Sequence, residues 1–384
     1  MKTVDAIVAG AGVWGCTVAR CLAERGKNIL VLEKRHAVGG NVRCETDPAT
    51  GIEIHTYGSH IFHTHLDDVW SFVRRFIEFN GYQHKVLASY EGKTYFLPLG
   101  LTLVNQFYGL NLTPSQLPQF IAEEAAKAGY TGEPSNFEEQ AISFIGKPLY
   151  DAFIREYTRK QWGTDPKNLD ASIIRRLPVR ASYDVNYFSD YRQGIPLTGY
   201  NSLFDKMLDH PRISVECNVD WLKWRDGEGR ALSKLPVYYS GPIDQLFGYK
   251  FGALPWRSLR FETERIPVSD YQGTSVMNYT GSDVPWTRIH EFKHYHPEQK
   301  DVMASPETII CREYPKTWQL GDEPYYPVNN RESQELLEKY QAEAAKIPNL
   351  TVGGRLGAYK YFDIDQAIAA GLDTVVCCAG GATK

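Results

Sequence analysis

The sequence predicts an α/β protein: a Rossmann-like dinucleotide-binding domain carrying an inserted helical domain and an antiparallel β-sheet domain. Three observations carry that expectation. The run Val4-Asp5-Ala6-Ile7-Val8-Ala9 is short, mostly apolar and long enough for one buried strand, and it leads straight into Gly10-Ala11-Gly12-Val13-Trp14-Gly15, a G-x-G-x-x-G. An apolar helical stretch, Thr17 to Glu24, follows with Gly26 as its stop, and Asn28-Ile29-Leu30-Val31-Leu32 then reads as a second buried strand ending at Glu33. Farther on, helical periodicity holds from about 100 to 182, and short alternating strands from Trp256 to Glu313.

The order of the first segment has a chemical reason. Gly10 permits a tight turn, Gly12 lets backbone N–H groups approach a pyrophosphate at a helix N-terminus, and Gly15 lets helix and strand pack closely. Glu33 stands where it can accept from an adenosine ribose hydroxyl. Beyond it, Glu33-Lys34-Arg35-His36-Ala37-Val38-Gly39-Gly40-Asn41 runs acid, base, base, then a Gly-Gly doublet. This extension resembles the FAD signature of the glutathione-reductase and amine-oxidase superfamily, where the doublet gives backbone access beside the cofactor's diphosphate. The cofactor expected is therefore FAD and not NAD, with Gly10, Gly12, Gly15, Glu33, Lys34, Gly39, Gly40 and Asn41 holding it.

A chain of 384 residues is long for one core, so two or three packed domains are expected. A net charge of −4 and a pI near 6.2 argue against an extended nucleic-acid surface. Mean hydropathy is −0.38, and no run approaches the roughly 20 apolar residues of a membrane span. The first strand begins at once, which leaves no room for a signal peptide. The seven cysteines (Cys16, Cys21, Cys44, Cys217, Cys311, Cys377, Cys378) show no C-x-x-C or zinc spacing, and their odd number suits a reducing cytoplasm. The 24 tyrosines hint at a ligand groove lined with rings, although core packing would use many of them.

Taken in order, Ile52 to Gly58 alternates like a strand and leads into His60, His63 and His65, so that with His55 four histidines fall within eleven residues. They lack a helpfully spaced carboxylate or cysteine and the H-E-x-x-H logic, so no metal is expected. They are structural histidines, or one or two of them lie against a flavin ring. Residues 67–79 carry apolar positions at helical spacing, and a hairpin over His84–Tyr90 and Lys93–Phe96 turns at Glu91-Gly92. Helices follow at Leu101–Tyr108, Pro114–Lys127 and Phe137–Trp162, the last broken near Gly146-Lys147-Pro148. Phe153 and Tyr157, four apart, share a helical face, with Trp162 just past the end of that face. Such rings stack a planar base or form a core stripe, and periodicity alone favours the core. Thr164 to Asp170 is polar and turn-prone, a candidate mobile loop, and Arg175, Arg176 and Arg180 cluster beyond it. Guanidinium forks match phosphate oxygens, while a solvated basic face is the simpler account of the cluster by itself.

A helix opening at Gly199-Tyr200-Asn201 and strands at Ile213–Asn218 and Pro236–Tyr239 return to the first sheet. A helix over Gln334–Lys346, a strand at Leu350–Val352, a glycine-rich turn and an apolar helix to about Val376 bring the chain back against the cofactor. The domains expected are 1–82 with 200–248 and 340–384 for FAD, 100–182 helical for substrate, and 83–99 with 183–199 and 249–339 for the antiparallel sheet.

Over nearly its whole length the sequence resembles the bacterial UDP-galactopyranose mutase family. The resemblance rests on His60-Ile61-Phe62-His63-Thr64, Tyr157-Thr158-Arg159-Lys160-Gln161-Trp162-Gly163, Arg176-Leu177-Pro178-Val179-Arg180 and Asn186-Tyr187-Phe188. It rests equally on Val276-Met277-Asn278-Tyr279, Pro324-Tyr325-Tyr326-Pro327 and Gly354-Arg355-Leu356-Gly357 with Tyr361 and Asp363. It implies interconversion of UDP-galactopyranose and UDP-galactofuranose, a step in cell-wall polysaccharide biosynthesis, by attack of reduced-flavin N5 on the anomeric carbon without net redox change. An unidentified reductant keeps the FAD reduced, and the family is usually a cytoplasmic homodimer.

Carried over by position, Phe153 and Tyr157 hold the uracil with Trp162 nearby, and Arg176 and Arg288 clamp the diphosphate with Tyr187, Tyr326 and Tyr361. Asn278 and His63 line the sugar and flavin region, and His60, Arg355 and Asp363 stand on the cofactor side. Arg176, Arg288 and His63 are the catalytic candidates. Many members carry Asn where His84 stands, and that position is assigned no role. A flavin amine oxidase or desaturase would share the FAD signature, and a flavoprotein that only shuttles electrons would turn over no UDP-sugar.

Overall fold

The computed structural model describes residues 3–129, 133–174, 179–232 and 234–380, so Arg176 lies outside the described residues. Strand β1 (Ala6–Ala9) runs through Gly10 and Gly12 into helix α1 (Val13–Glu24), and strand β2 (Ile29–Glu33) follows. β1 pairs parallel with β2 on one side and with Val237–Tyr239 on the other. Strands Leu350–Val352 and Ile213–Cys217 complete a five-stranded parallel sheet with β1 at its centre. Both faces are covered, which is why β1 and β2 read as unbroken apolar runs instead of alternating ones. On one face lie α1 and the helix Ile364–Gly380; on the other, Trp221, Tyr239 and Leu246 pack with Ile7 and Leu32. The helix seats tightly on the sheet because Gly15 has no side chain: a Cβ there would stand 2.0 Å from the Gly10 carbonyl oxygen.

A second sheet has seven strands, in the order Tyr326–Pro327, Trp256–Ile266, Thr308–Thr317, Arg288–Glu291, Val276–Tyr279, Val86–Tyr90 and Lys93–Leu97. Two differences from expectation have physical causes. The sheet is mixed, because Val276–Tyr279 runs parallel to Val86–Tyr90 while its other pairs are antiparallel. The segment from Trp256 also holds not short strands alone but an 11-residue strand paired along ten positions to Thr308–Thr317. Its outer half is solvent-facing and charged, Arg312 meeting Glu264 and Tyr314 meeting Glu262 across the strands, so hydrophobic patterning ends before the strand does. At the hairpin, Glu91 and Gly92 have φ of 48° and 72°, the left-handed pair a two-residue turn requires.

The helical segment packs Leu103, Ile121, Ile142, Leu149 and Tyr150 into its own core. It breaks at Gly146 (φ 76°), where Glu124 of the neighbouring helix presses against the backbone. A second irregularity was not expected: Asp151–Arg155 forms a π-helical turn between Lys147–Tyr150 and Glu156–Trp162. An i→i+5 turn adds a residue, so positions four apart no longer align. Among the described residues no helix is long and apolar enough to cross a membrane.

The glycine packing gives a direct test. Gly15→Ala should lower stability by about 1–3 kcal/mol, the usual penalty of overpacking, whereas a Cβ at Gly81 would meet nothing within 4 Å. Urea midpoints should fall for Gly15→Ala and stay near wild type for Gly81→Ala; equal midpoints would contradict the packing described.

Candidate functional site

A cavity of about 1530 Å³ opens where β1, β2 and Val237–Tyr239 end, then continues between the helical segment and the seven-stranded sheet. Small-molecule pockets usually span about 300–1,000 Å³, so this one has room for two ligands end to end.

At the sheet end, Gly10 takes φ 102°, and a Cβ on Gly40 would lie 3.0 Å from the Gly12 Cα. The two glycine segments therefore form a narrow backbone cradle at the N-terminus of α1, suited to a diphosphate. Gly15 and Gly39 line the same end, and Lys34 stands exposed at its rim. Glu33 accepts the Ala11 N–H at 2.7 Å and the Arg35 N–H at 2.9 Å, which fixes the carboxylate while leaving lone pairs for a ribose hydroxyl. Asn41 accepts from Arg35 Nη2 at 2.8 Å, yet Asn41 Nδ2 and Arg35 Nη1 are buried donors without a partner among the described residues. The cradle, the acid and these donors fit a dinucleotide such as FAD.

Midway, burial in the wall pushes His60 down to about 4, so its imidazole is neutral at pH 7. His63 lies 2.8 Å from Asp190 through Nδ1 and 3.9 Å from Asp363 through Nε2, with its ring stacked on Phe188 at 3.7 Å. Burial raises the Asp363 carboxyl above its ordinary range against the pull of His63 and Tyr361. His84 stacks on the Phe188 ring as well, at 5.5 Å, and Tyr82 OH lies 3.0 Å from its Nδ1. Burial, helped by Arg288, pushes His84 down to about 3. Arg355 shares this wall and donates to the Tyr325 carbonyl.

The far end gathers Tyr157, Trp162, Tyr187, Asn278, Arg288, Tyr326 and Tyr361. Arg288 Nε donates to Tyr157 OH at 2.8 Å. Tyr326 and Tyr361 stack at 5.9 Å, and Asn278 Oδ1 is buried without a partner among the described residues. Trp162 closes its helix, and Gly163 (φ 67°) turns the chain away. Phe153 is the exception: at 3% exposure it packs on Tyr90, Tyr95 and Phe107 and is not part of the cavity lining. The face that periodicity assigned to both rings is split by the π turn, which leaves Phe153 in the core and Tyr157 on the cleft.

Sequence reasoning passed over Glu313, Asp190 and Arg257. Burial works to raise the Glu313 carboxyl, but Arg288 and His290 outweigh it and hold the group at about 2. A signal for Glu313 was available, since it falls in strand register with Ile309 and Cys311 where an apolar residue belongs. Asp190 and Arg257, which donates to the Gln161 carbonyl at 3.0 Å, reach the site only through tertiary packing. A carboxylate also lies nearer the histidines than their spacing suggested: Cys44, Glu53 and His55 bring ligand atoms within 4.8 Å of one another. The His60 N–H donates to His55 Nδ1 at 3.0 Å, which puts the imidazole proton on Nε2 and leaves that atom no lone pair for a cation.

A profile of the UDP-galactopyranose mutase family matches residues 152–361, and one of NAD(P)-binding Rossmann-like domains matches 8–76. A probable UDP-galactopyranose mutase of Klebsiella pneumoniae is 40% identical over 97% of this chain and 94% of its own length. A dTDP-fucopyranose mutase of Escherichia coli is 37% identical over 96% of both chains. A crystal structure of a reduced UDP-galactopyranose mutase shares the fold, with a TM-score of 0.75 at 17% identity, covering 100% of this chain and 97% of that one.

The neutral histidines set a pH dependence. Below about 6.5 the unfolded chain takes up protons that His84 and His55 refuse until about 3 and His60 until about 4. Their contribution to stability is thus complete above pH 6.5 and is lost progressively as pH falls, down to about 4 for His60 and about 3 for His84 and His55. His294 and His296, raised by their carboxylate partners, act in the opposite sense, so the test is a difference: between pH 7 and pH 5 the urea midpoint of His84→Gln should fall less than that of the wild type, and identical slopes would contradict a neutral, buried His84.

Proposed function

We propose, since this chain belongs to the UDP-galactopyranose mutase family, that it interconverts UDP-galactopyranose and UDP-galactofuranose with FAD, in its reduced form, as cofactor. The observation that carries this is continuity: the glycine cradle and the chamber around Arg288 are two ends of one cavity. A sugar bonded to UDP at one end then lies against the cofactor at the other. Bound reduced FAD would supply a nucleophilic ring nitrogen and take no net electrons from the substrate.

The chain's own residues hold and orient. Arg288 faces the diphosphate, with Arg176 as the second cation, and Tyr187, Tyr326 and Tyr361 offer hydroxyls to the same oxygens. Tyr157 and Trp162 wall the uracil, while Phe153 packs in the core of the helical segment. Asn278, its Oδ1 buried without a partner among the described residues, accepts from a sugar hydroxyl. His63 donates its Nδ1–H to Asp190, so Nε2 is the nitrogen left to hold or pass a proton on the sugar side. A cationic amine would meet Arg288 unfavourably, which disfavours an amine oxidase. The fucopyranose relative makes dTDP-fucopyranose the second substrate to try.

Conversion of UDP-galactofuranose by dithionite-reduced enzyme, followed by chromatography, tests the assignment. Arg288→Ala should lose about 3–4 kcal/mol of transition-state stabilisation, the scale of an oxyanion donor, and Arg288→Lys should recover only part of it because a point charge cannot fork. Turnover near normal in either variant would remove Arg288 from the mechanism. Tyr157→Ala should weaken UDP binding by about 1–3 kcal/mol, the range for a base-stacking ring; a folded variant with unchanged UDP affinity would return that ring to a structural role.

A further inference from the structure

Arg288 is engaged at two of its three nitrogens before any substrate arrives. Nε donates to Tyr157 OH at 2.8 Å, and Nη1 lies 3.7 Å from Glu313 Oε2. Glu313 stands directly opposite Arg288 in the sheet register and is 2% exposed. Behind it runs a hydrogen-bond chain whose directions can be assigned. Tyr295 OH donates to Ser59 Oγ at 2.6 Å, and Ser59 Oγ lies 2.7 Å from His290 Nδ1; because the Glu313 carboxylate beyond the ring can only accept, the neutral ring keeps its proton on Nε2 and Nδ1 accepts from Ser59. His290 then carries its proton on Nε2, 3.2 Å from Glu313 Oε2, while Thr287 Oγ1 reaches Oε1 at 3.4 Å. Every donor in the chain thus points towards Glu313, and the carboxylate's remaining charge faces Arg288. Ser59 also adjoins His60 on the cofactor side of the cavity.

We propose that Glu313, set by His290 and Ser59, is a positioning residue that turns the Arg288 guanidinium so that Nη2 is the nitrogen offered to a nucleoside diphosphate, and that its charge tempers the grip of Arg288 on that anion. This rests on the assignment of UDP-sugar to the far end of the cavity. A departing diphosphate must be held in place yet return to the sugar, so orientation matters more than tightness. Removing the counter-charge while keeping the shape should therefore separate binding from turnover.

Glu313→Gln does this. Measured on reduced holoenzyme, kcat should fall by about 10²-fold, the scale of a misplaced contact, while UDP binds about threefold tighter, the scale of one unit-charge repulsion across a guanidinium in a water-like dielectric. Arg288→Ala should move UDP affinity the other way, and Glu313→Asp should restore part of kcat. Unchanged kcat in Glu313→Gln, or UDP affinity weakened in step with kcat, overturns the proposal. Should Glu313→Gln not fold, Ser59→Ala breaks the chain one bond further back: lower kcat with UDP affinity kept supports the proposal, and unchanged kcat overturns it. A wild type that neither binds UDP nor converts the sugar places the failure in the substrate assignment; a wild type that does both, with variants like it, places the failure here.

Discussion

The architecture depends on how closely backbone can approach backbone at the end of the parallel sheet. Gly10, Gly12, Gly15 and Gly40 bring β1, α1 and the loop after β2 within van der Waals reach, and a methyl group at Gly10, Gly15 or Gly40 would meet an atom at 3.0 Å or less. That approach leaves N–H groups at a helix N-terminus facing open space, the arrangement an anionic dinucleotide needs. The rest of the chain extends that cavity. Helical segment and second sheet add walls, so that a surface crevice becomes a deep cleft with two chemically different ends.

The cleft treats charge economically. Burial keeps His60 and His84 neutral, and Glu313 is ionised because Arg288 and His290 hold it so. An unpaired buried carboxylate would be costly, whereas one that receives hydrogen bonds and faces a guanidinium persists. The Arg288 guanidinium is thus set in direction before a ligand arrives. Preorganisation of this kind suits a reaction in which one fragment leaves and must come back to the same atom.

Much of this was legible in the sequence, and the rest was not for identifiable reasons. The β1–α1–β2 unit follows from composition alone, because a buried parallel strand and a G-x-G-x-x-G turn each have few alternatives. The Glu91-Gly92 turn was equally plain. The long pair Trp256–Ile266 and Thr308–Thr317 was foreshortened, since its solvent-facing half carries charges that hide the alternation. The π turn at Asp151–Arg155 has no compositional mark, and it alone separates Phe153 from Tyr157. Asp190 and Glu313 act across 127 and 25 positions, on His63 and Arg288 respectively, distances over which no local pattern reports. The residues read through family resemblance fared otherwise: apart from Phe153, and Arg176 beyond the described residues, they line one cavity.

That single cavity is the central claim, and a spectroscopic titration addresses it most directly. UDP-galactopyranose would be added to the flavin-loaded protein while flavin absorbance and tryptophan fluorescence are recorded together. If nucleotide and cofactor share one cleft, with Trp162 on the nucleotide wall, both signals move and saturate with one dissociation constant. Tryptophan quenching with an unmoved flavin spectrum would place the UDP-sugar apart from the cofactor and contradict the account.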